Sequence, residues 1–101
     1  MSLNIEQKNE NGLTILLNGR LDTVTAPQLE SVLDGALHST DTLVFDMEHL
    51  EYISSAGLRL LLKAQKEMSK KGCMKLLHVN ADIMEIFDIT GFSDFLTIEQ
   101  A

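Results

Sequence analysis

Asp46-Met47-Glu48-His49-Leu50-Glu51-Tyr52-Ile53-Ser54-Ser55-Ala56-Gly57-Leu58-Arg59 is the stretch on which the reading of this chain turns. In front of it, Leu43-Val44-Phe45 is a short apolar run without alternation, which suits a strand covered on both faces or a central one. Asp46, Glu48 and Glu51 then read as an acidic loop leaving the core, and Tyr52-Ile53 returns the chain to the sheet. Behind the serines, Leu58, Leu61, Leu62, Ala64 and Met68 share one broad helical face with Leu60 at its margin. Arg59, Lys63, Lys66 and Lys70 form the opposite stripe. The two hydroxyls therefore sit at a strand-to-helix corner.

Working outward, Leu3 and Ile5 alternate with polar residues, and Asn9-Glu10-Asn11-Gly12 is a turn into a second strand, Leu13 to Leu17, that ends at Gly19. Thr25-Ala26-Pro27-Gln28 reads as a helix start, with Thr25 as cap, Gln28 at the capping-box position and Pro27 in the first turn. Leu29, Val32, Leu33, Ala36 and Leu37 follow the spacing of one helical face, and His38-Ser39-Thr40-Asp41 closes that helix. Beyond the corner, Gly72 stops the second helix and Met74 to Val79 is a strand. Asn80 caps a third helix whose Ile83, Ile86 and Phe87 point one way, and Leu96-Thr97-Ile98 forms a last strand. The order β-β-α-β-α-β-α-β predicts a single α/β domain over residues 1–101: a mixed, largely parallel sheet with about three helices packed on it. In such sheets functional groups gather at the carboxyl ends of strands, an edge expected to hold Asp22, Asp46, Ser54 and Ser55.

The formal charge of -7 on 101 residues argues against nucleic acid or an anionic membrane as partner, since both require clustered basic surface. A protein partner is expected. Five of the 8 basic residues (Arg59, Lys63, Lys66, Lys70 and Lys71) nevertheless fall beside the serines, as a local patch on an acidic chain. The single cysteine, Cys73, forms no internal disulfide and reads as a small buried or half-buried residue in a reducing compartment. The start Met1-Ser2-Leu3-Asn4 lacks a signal-peptide pattern and no apolar run reaches membrane-spanning length, so a cytoplasmic protein without membrane insertion is expected.

The serines have two readings. As a capping pair they satisfy the first N–H groups of the helix. As an acceptor site, a phosphate on Ser55 would lie near the positive end of the helix, where the fold tolerates it and a docked partner feels it. Catalysis is not supported: His38, His49 and His78 stand at no motif spacing to Ser55. There is no G-x-S-x-G elbow, no phosphate-cradling glycine loop and no metal-binding or cofactor-binding motif, and His49 reads as a loop contact.

The segment from Asp46 to Arg59 resembles the signature of the STAS-domain family, in particular the stand-alone anti-sigma factor antagonists of bacteria. Gly19-Arg20-Leu21-Asp22 followed by Ala26-Pro27 resembles a second conserved region of that family, and Thr90-Gly91-Phe92 a third. The resemblance implies a partner-switching module that binds an anti-sigma factor/serine kinase when unphosphorylated, thereby freeing a sigma factor, and is reset by a PP2C-type phosphatase. It implies Ser55 as phosphoacceptor, with Ser54 second, and Asp22 and Asp46 as acids near that site. A partner surface of Asp22, Thr23, Asp46, Ser54, Ser55, Ala56, Gly57, Arg59 and Lys63 follows from it. Many relatives in that family have an aspartate where this chain has Ser54. The alternative within the family is a non-phosphorylated interaction subunit of a transporter or sensory complex.

Overall fold

The computed structural model describes residues 3–9 and 12–99. Its elements are β1 (Leu3–Asn9), β2 (Leu13–Leu21), α1 (Ala26–Ser39), β3 (Thr42–Ile53), α2 (Ser55–Ser69), β4 (Cys73–Leu77), α3 (Ala81–Thr90), a single 3-10 turn (Phe92–Asp94) and β5 (Ile98–Glu99). Glu10 and Asn11 of the expected first turn lie outside the described residues. The strands form one 5-stranded sheet in the order β1-β2-β3-β4-β5. The first pair is antiparallel, as the short connection between two strands predicts, and the other three are parallel, as the alternation of strands and helices predicts. Successive right-handed crossovers that step one strand at a time in one direction place their helices on the same face of the sheet.

That arrangement corrects the reading of Leu43-Val44-Phe45 as a doubly covered strand. Leu43, Phe45 and Met47 are fully buried under the helices, whereas Val44 and Asp46 point to the open face and are partly exposed. The pleat sends alternate residues to opposite faces, so an apolar run in a one-sided sheet carries its valine on the wetter side. Burial of Ile15, Leu17, Leu29, Leu33, Phe45, Leu61, Ile83 and Phe87 builds the one core between sheet and helix layer.

Both central strands are longer than expected. β2 continues past Gly19 to Leu21, and Gly19 (φ 110) sits at a register shift against β3, not at the strand's end. The stretch from Asp46 to Glu51 is not a loop: it is strand, and β3 pairs with β2 all the way to Leu21↔Ile53. β4 stops earlier, with Leu77 opposite Asp46, so the ends of β2 and β3 project beyond it as a two-stranded ribbon.

The helix caps follow different local chemistry. The capping box of α1 lies three residues upstream of the expected one. Asp22 Oδ1 accepts from the N–H groups of Val24 and Thr25, each at 3.0 Å, and the Asp22 N–H donates back to Thr25 Oγ1 at 2.9 Å. Thr25 itself has helical angles (φ -92, ψ -17) and makes no cap bond. Its buried hydroxyl donates to Arg20 O at 2.7 Å, which fixes the turn to the end of β2. Asn80 caps α3 as predicted: Oδ1 accepts from Ile83 N–H at 2.9 Å, and Nδ2 donates to Leu50 O at 3.0 Å, tying α3 to the projecting part of β3. On α2, Leu60 is buried and Leu62 only partly so, the reverse of the expected order, because α2 leans Leu60 toward α1. Cys73 is exposed at the start of β4, against the expectation of a buried residue.

Candidate functional site

The ends of β2 and β3 and the starts of α1 and α2 meet at one corner. Ser54 N–H donates to Leu21 O at 2.9 Å and Ser54 O accepts from Leu58 N–H at 2.9 Å, so the serine backbone joins the end of β2 to the first turn of α2. Ser54 has the extended conformation of an N-cap (φ -100, ψ 177), yet its side chain makes no cap bond, and its Oγ lies buried without a partner among the described residues. The capping role expected of the serine pair is thus absent. Ser55, the first helical residue, is exposed. Of the two hydroxyls, only that of Ser55 is presented to the outside.

Gly57 is what lets α2 start so close to the sheet. A Cβ there would lie 2.7 Å from Leu21 Cγ and 2.8 Å from Ile53 Cγ1, both on buried side chains. Gly57 is buried beneath the corner, where it seats the start of α2 under Ser55 and offers no surface of its own.

Thr23, Ala56, Arg59 and Lys63, all expected at the partner surface, line one groove of about 360 Å³ between the first turns of α1 and α2, together with Ala26 and Pro27. Lys63 reaches across it to Glu30 (3.9 Å) and Asp34 (3.7 Å) of α1. These pairs are solvent-exposed and add at most about 1 kcal/mol each. Among the described residues Arg59 forms no ion pair, which leaves it the unpaired cation of the groove. The stripe is otherwise partly engaged within the chain: Lys70 pairs with Glu67 at 3.7 Å, and Lys71 Nζ donates to Leu37 O in the last turn of α1.

Asp22 belongs to the corner, but as its organiser. The Thr25 N–H holds its carboxyl below the usual carboxylate range against the effect of partial burial, helped by the Thr25 hydroxyl, the Val24 N–H and Arg20. The turn it caps pushes Val24 outward to 82% exposure. Arg20 lies 3.7 Å from Asp22 Oδ2 and stacks over Tyr52, 4.2 Å from the ring centroid. Arg20, Val24 and Tyr52 were not singled out from the sequence. An exposed valine inside the polar run Asp22-Thr23-Val24-Thr25 was the available signal, whereas the Arg20–Tyr52 pair depends on strand register (Arg20↔Tyr52) that composition does not reveal.

Asp46 does not join the corner. β3 runs on to Ile53, which separates Asp46 from Ser54 by on the order of 20 Å of strand. Its side chain also points to the open face, away from the helices. There Asp46 Oδ1 accepts from His78 Nδ1–H at 3.0 Å and from Glu48 N–H at 3.1 Å. Burial raises the Asp46 carboxyl, but these bonds outweigh it and hold the group below its ordinary value. The bond to Asp46 raises His78 in turn, against partial desolvation. His78 adopts a left-handed conformation (φ 59) where the chain leaves β4 for α3. Asp46 is a tie between neighbouring strands, and its expected role at the switch corner is corrected accordingly.

A mixed sheet with one face covered by three helices, and an exposed Ser55 at the start of the second, makes this chain an α/β module with a single helix layer. The chain belongs to the STAS domain family, whose model matches residues 2–101. It is 31% identical over 105 residues to the anti-sigma-B factor antagonist of Staphylococcus aureus (strain NCTC 8325 / PS 47), covering 99% of this chain and 95% of that protein. The fold superposes with a TM-score of 0.87 on an anti-sigma factor antagonist from Mycobacterium paratuberculosis, at 21% identity over 95% of this chain and 84% of the other. It matches the Bacillus cell fate determinant SpoIIAA in its phosphorylated form with a TM-score of 0.74 at 22% identity, covering 98% of this chain and 90% of that one. No helix among the described residues is long and apolar enough to cross a membrane.

Proposed function

We propose that this protein is an anti-sigma factor antagonist whose binding is switched by phosphorylation of Ser55. The unphosphorylated corner docks on an anti-sigma factor that is also a serine kinase, so the sigma factor held by that partner is released. The observation that carries this reading is the contrast between the two hydroxyls: Ser55 is exposed at the first position of α2, while Ser54 Oγ is buried. A kinase reaches the first and not the second.

The docking surface comprises Thr23, Val24, Ala56 and Arg59 around Ser55, with Asp22 holding the turn and Gly57 seating the helix from below. A phosphate on Ser55 adds close to two negative charges at the positive end of α2, where the backbone N–H groups favour it. The fold survives, and the cost falls on the partner's contact. A PP2C-type phosphatase would restore the docking form in the cytoplasm. The names of the relatives support the antagonist reading, and the phosphorylated form of SpoIIAA supports a switch on this fold.

The test is to incubate the protein with a serine kinase of the anti-sigma factor type and ATP, and to map the product by mass spectrometry. One phosphate on Ser55, absent in Ser55→Ala, is expected, with Ser55→Asp folding normally but binding the kinase at least tenfold more weakly. Phosphate at a residue away from this corner, or unchanged affinity of Ser55→Asp, would overturn the reading.

A further inference from the structure

At the opposite end of α2 from Ser55 lies a second, larger groove. It has a volume of about 610 Å³, runs between the last turns of α2 and the 3-10 turn, and is floored by Leu62, Phe92 and Phe95 with Lys66 and Lys70 on its rim. Phe95 is 65% exposed. Phe95 stands beside the half-buried Leu62 and Phe92, so the three together give the groove an apolar floor open to solvent. Lys66 forms no ion pair among the described residues, and Lys70 has only the exposed Glu67 within its own helix. Glu67 also lines the groove, so its rim carries two lysines against one carboxylate, a net positive charge on a chain whose net charge is -7.

The complementary surface exists on the same chain. α3 buries Ile83 and Phe87, and its outward side carries Asp82, Glu85 and Asp88, all exposed. At 100° per residue, Ile89 falls between Asp82 and Glu85 on that side, and it is 77% exposed. An exposed isoleucine flanked by carboxylates matches an apolar groove flanked by lysines in both shape of polarity and sign of charge. Because α3 leads through Gly91 directly into the turn that bears Phe92 and Phe95, knob and groove are neighbours on one molecule. Neighbouring complementary patches permit a two-fold arrangement in which each copy gives and receives the same contact.

We propose that the occupant of this groove is a second copy of this chain: Ile89 of each protomer enters the Leu62–Phe92–Phe95 groove of the other, with Asp82 and Glu85 facing Lys66 and Lys70. One side chain with its flanking charges is a smaller contact than a standard interface of about 800 Å² per partner, so the dimer is weak. Lys66 lies about 16 Å along α2 from Ser55, which leaves the corner of each protomer open. The inference does not depend on the proposed switch, and its test needs no kinase.

Sedimentation velocity from about 10 µM to about 1 mM covers the concentrations at which a weak association shows itself. The expected result is a concentration-dependent rise in mass toward that of a dimer and not beyond it, weakened at least tenfold by Ile89→Asp and by Phe95→Ser. Charge reversal supplies the sharper arm. Lys66→Glu with Lys70→Glu, and separately Asp82→Lys with Glu85→Lys, are each expected to be monomeric with unchanged circular dichroism. An equimolar mixture of the two regains dimer, because both reciprocal contacts are then matched. A wild-type monomer throughout the range, a dimer indifferent to Ile89→Asp, growth beyond dimer mass, or failure of the mixed variants to pair would each overturn the proposal.

Discussion

Replacing Gly57 by alanine separates two opposing effects that act on the same helix residue. In an unobstructed helix interior, alanine is favoured over glycine by up to about 1 kcal/mol, because it restricts the unfolded chain and shields the backbone. At Gly57 the new methyl would sit 2.7 Å from Leu21 Cγ, 2.8 Å from Ile53 Cγ1 and 2.9 Å from Leu21 Cδ2. Leu21 and Ile53 are at 0% and 2% exposure, so neither side chain has solvent to retreat into. Overpacking of this kind costs about 1–3 kcal/mol. Overlap wins over propensity, and Gly57→Ala is expected to be destabilised by about 1 kcal/mol, a fall in Tm of about 4–8 °C in a domain of this size. Gly35 is the internal control: it lies exposed within α1, and a Cβ there meets nothing within 4 Å. Gly35→Ala is expected to gain up to about 1 kcal/mol and to melt correspondingly higher. Paired thermal and urea melts of the two variants decide the matter. A Gly57→Ala protein that melts with or above the wild type, while Gly35→Ala shows its gain, would refute the claim that α2 is seated on the strand ends through a missing side chain.

Gly72→Ala carries a larger cost, because its Cβ would overlap the carbonyl oxygen of Asp41, the acceptor of the Cys73 N–H at 3.0 Å. Backbone on both sides cannot yield as a side chain can, so a loss of about 3 kcal/mol or more is expected in urea melts, and a loss under ~1 kcal/mol would contradict the packing described. The Asp46–His78 tie makes stability depend on pH in a definite direction. His78 is raised by folding, so its contribution is whole below the unfolded value of 6.5 and fades as pH rises through the folded value. Asp46 is lowered, so its contribution is whole above 3.8 and fades as pH falls through its folded value. The wild type should therefore lose urea resistance between weakly acidic and alkaline pH relative to His78→Gln; parallel pH profiles for the two proteins would remove the tie from the account.

The helices were legible because each follows a 3.6-residue pattern that tertiary packing left largely intact, apart from Leu60 and Leu62 on α2, and α3 with its Asn80 cap is the plainest case. β3 was legible only to Phe45. Its second half places Asp46 and Glu48 on the wet side, and a register shift moves its buried residues from Met47 to Leu50 and then to Ile53. A three-residue spacing with acids between looks like a loop when only composition is read, although each residue is in the sheet. Misplacing Asp46 followed from that one error, since its distance from Ser54 depends wholly on strand length. The cap of α1 failed for another reason. Asp22-Thr23-Val24-Thr25 and Thr25-Ala26-Pro27-Gln28 both fit the spacing of a capping box, and the choice is made by Arg20 O, which takes the Thr25 hydroxyl while Thr25 holds helical angles just before α1. The corner around Ser55 was legible in its residues but not in its division of labour. Nothing local distinguishes a glycine that touches a partner from one that seats a helix.

That division bears on how the proposed switch would work. Of the cations near Ser55, Arg20 is held by Asp22 and Tyr52, and Lys63 spans Glu30 and Asp34. Arg59 stands four residues beyond Ser55 on the same helix, exposed and unpaired among the described residues. Side chains at that spacing meet on a helix surface. An unmodified Ser55 leaves the Arg59 guanidinium free for an acidic group on the partner, whereas a phosphate on Ser55 would compete for it at close range and with the greater charge. The modification would then act twice, by adding negative charge at the contact and by withdrawing the one uncommitted cation from it. Each effect opposes docking of an acidic partner surface, and neither requires the fold to move. A module built this way can be rigid and still switch, with Asp22 and Gly57 keeping the geometry constant while the charge at its centre changes sign.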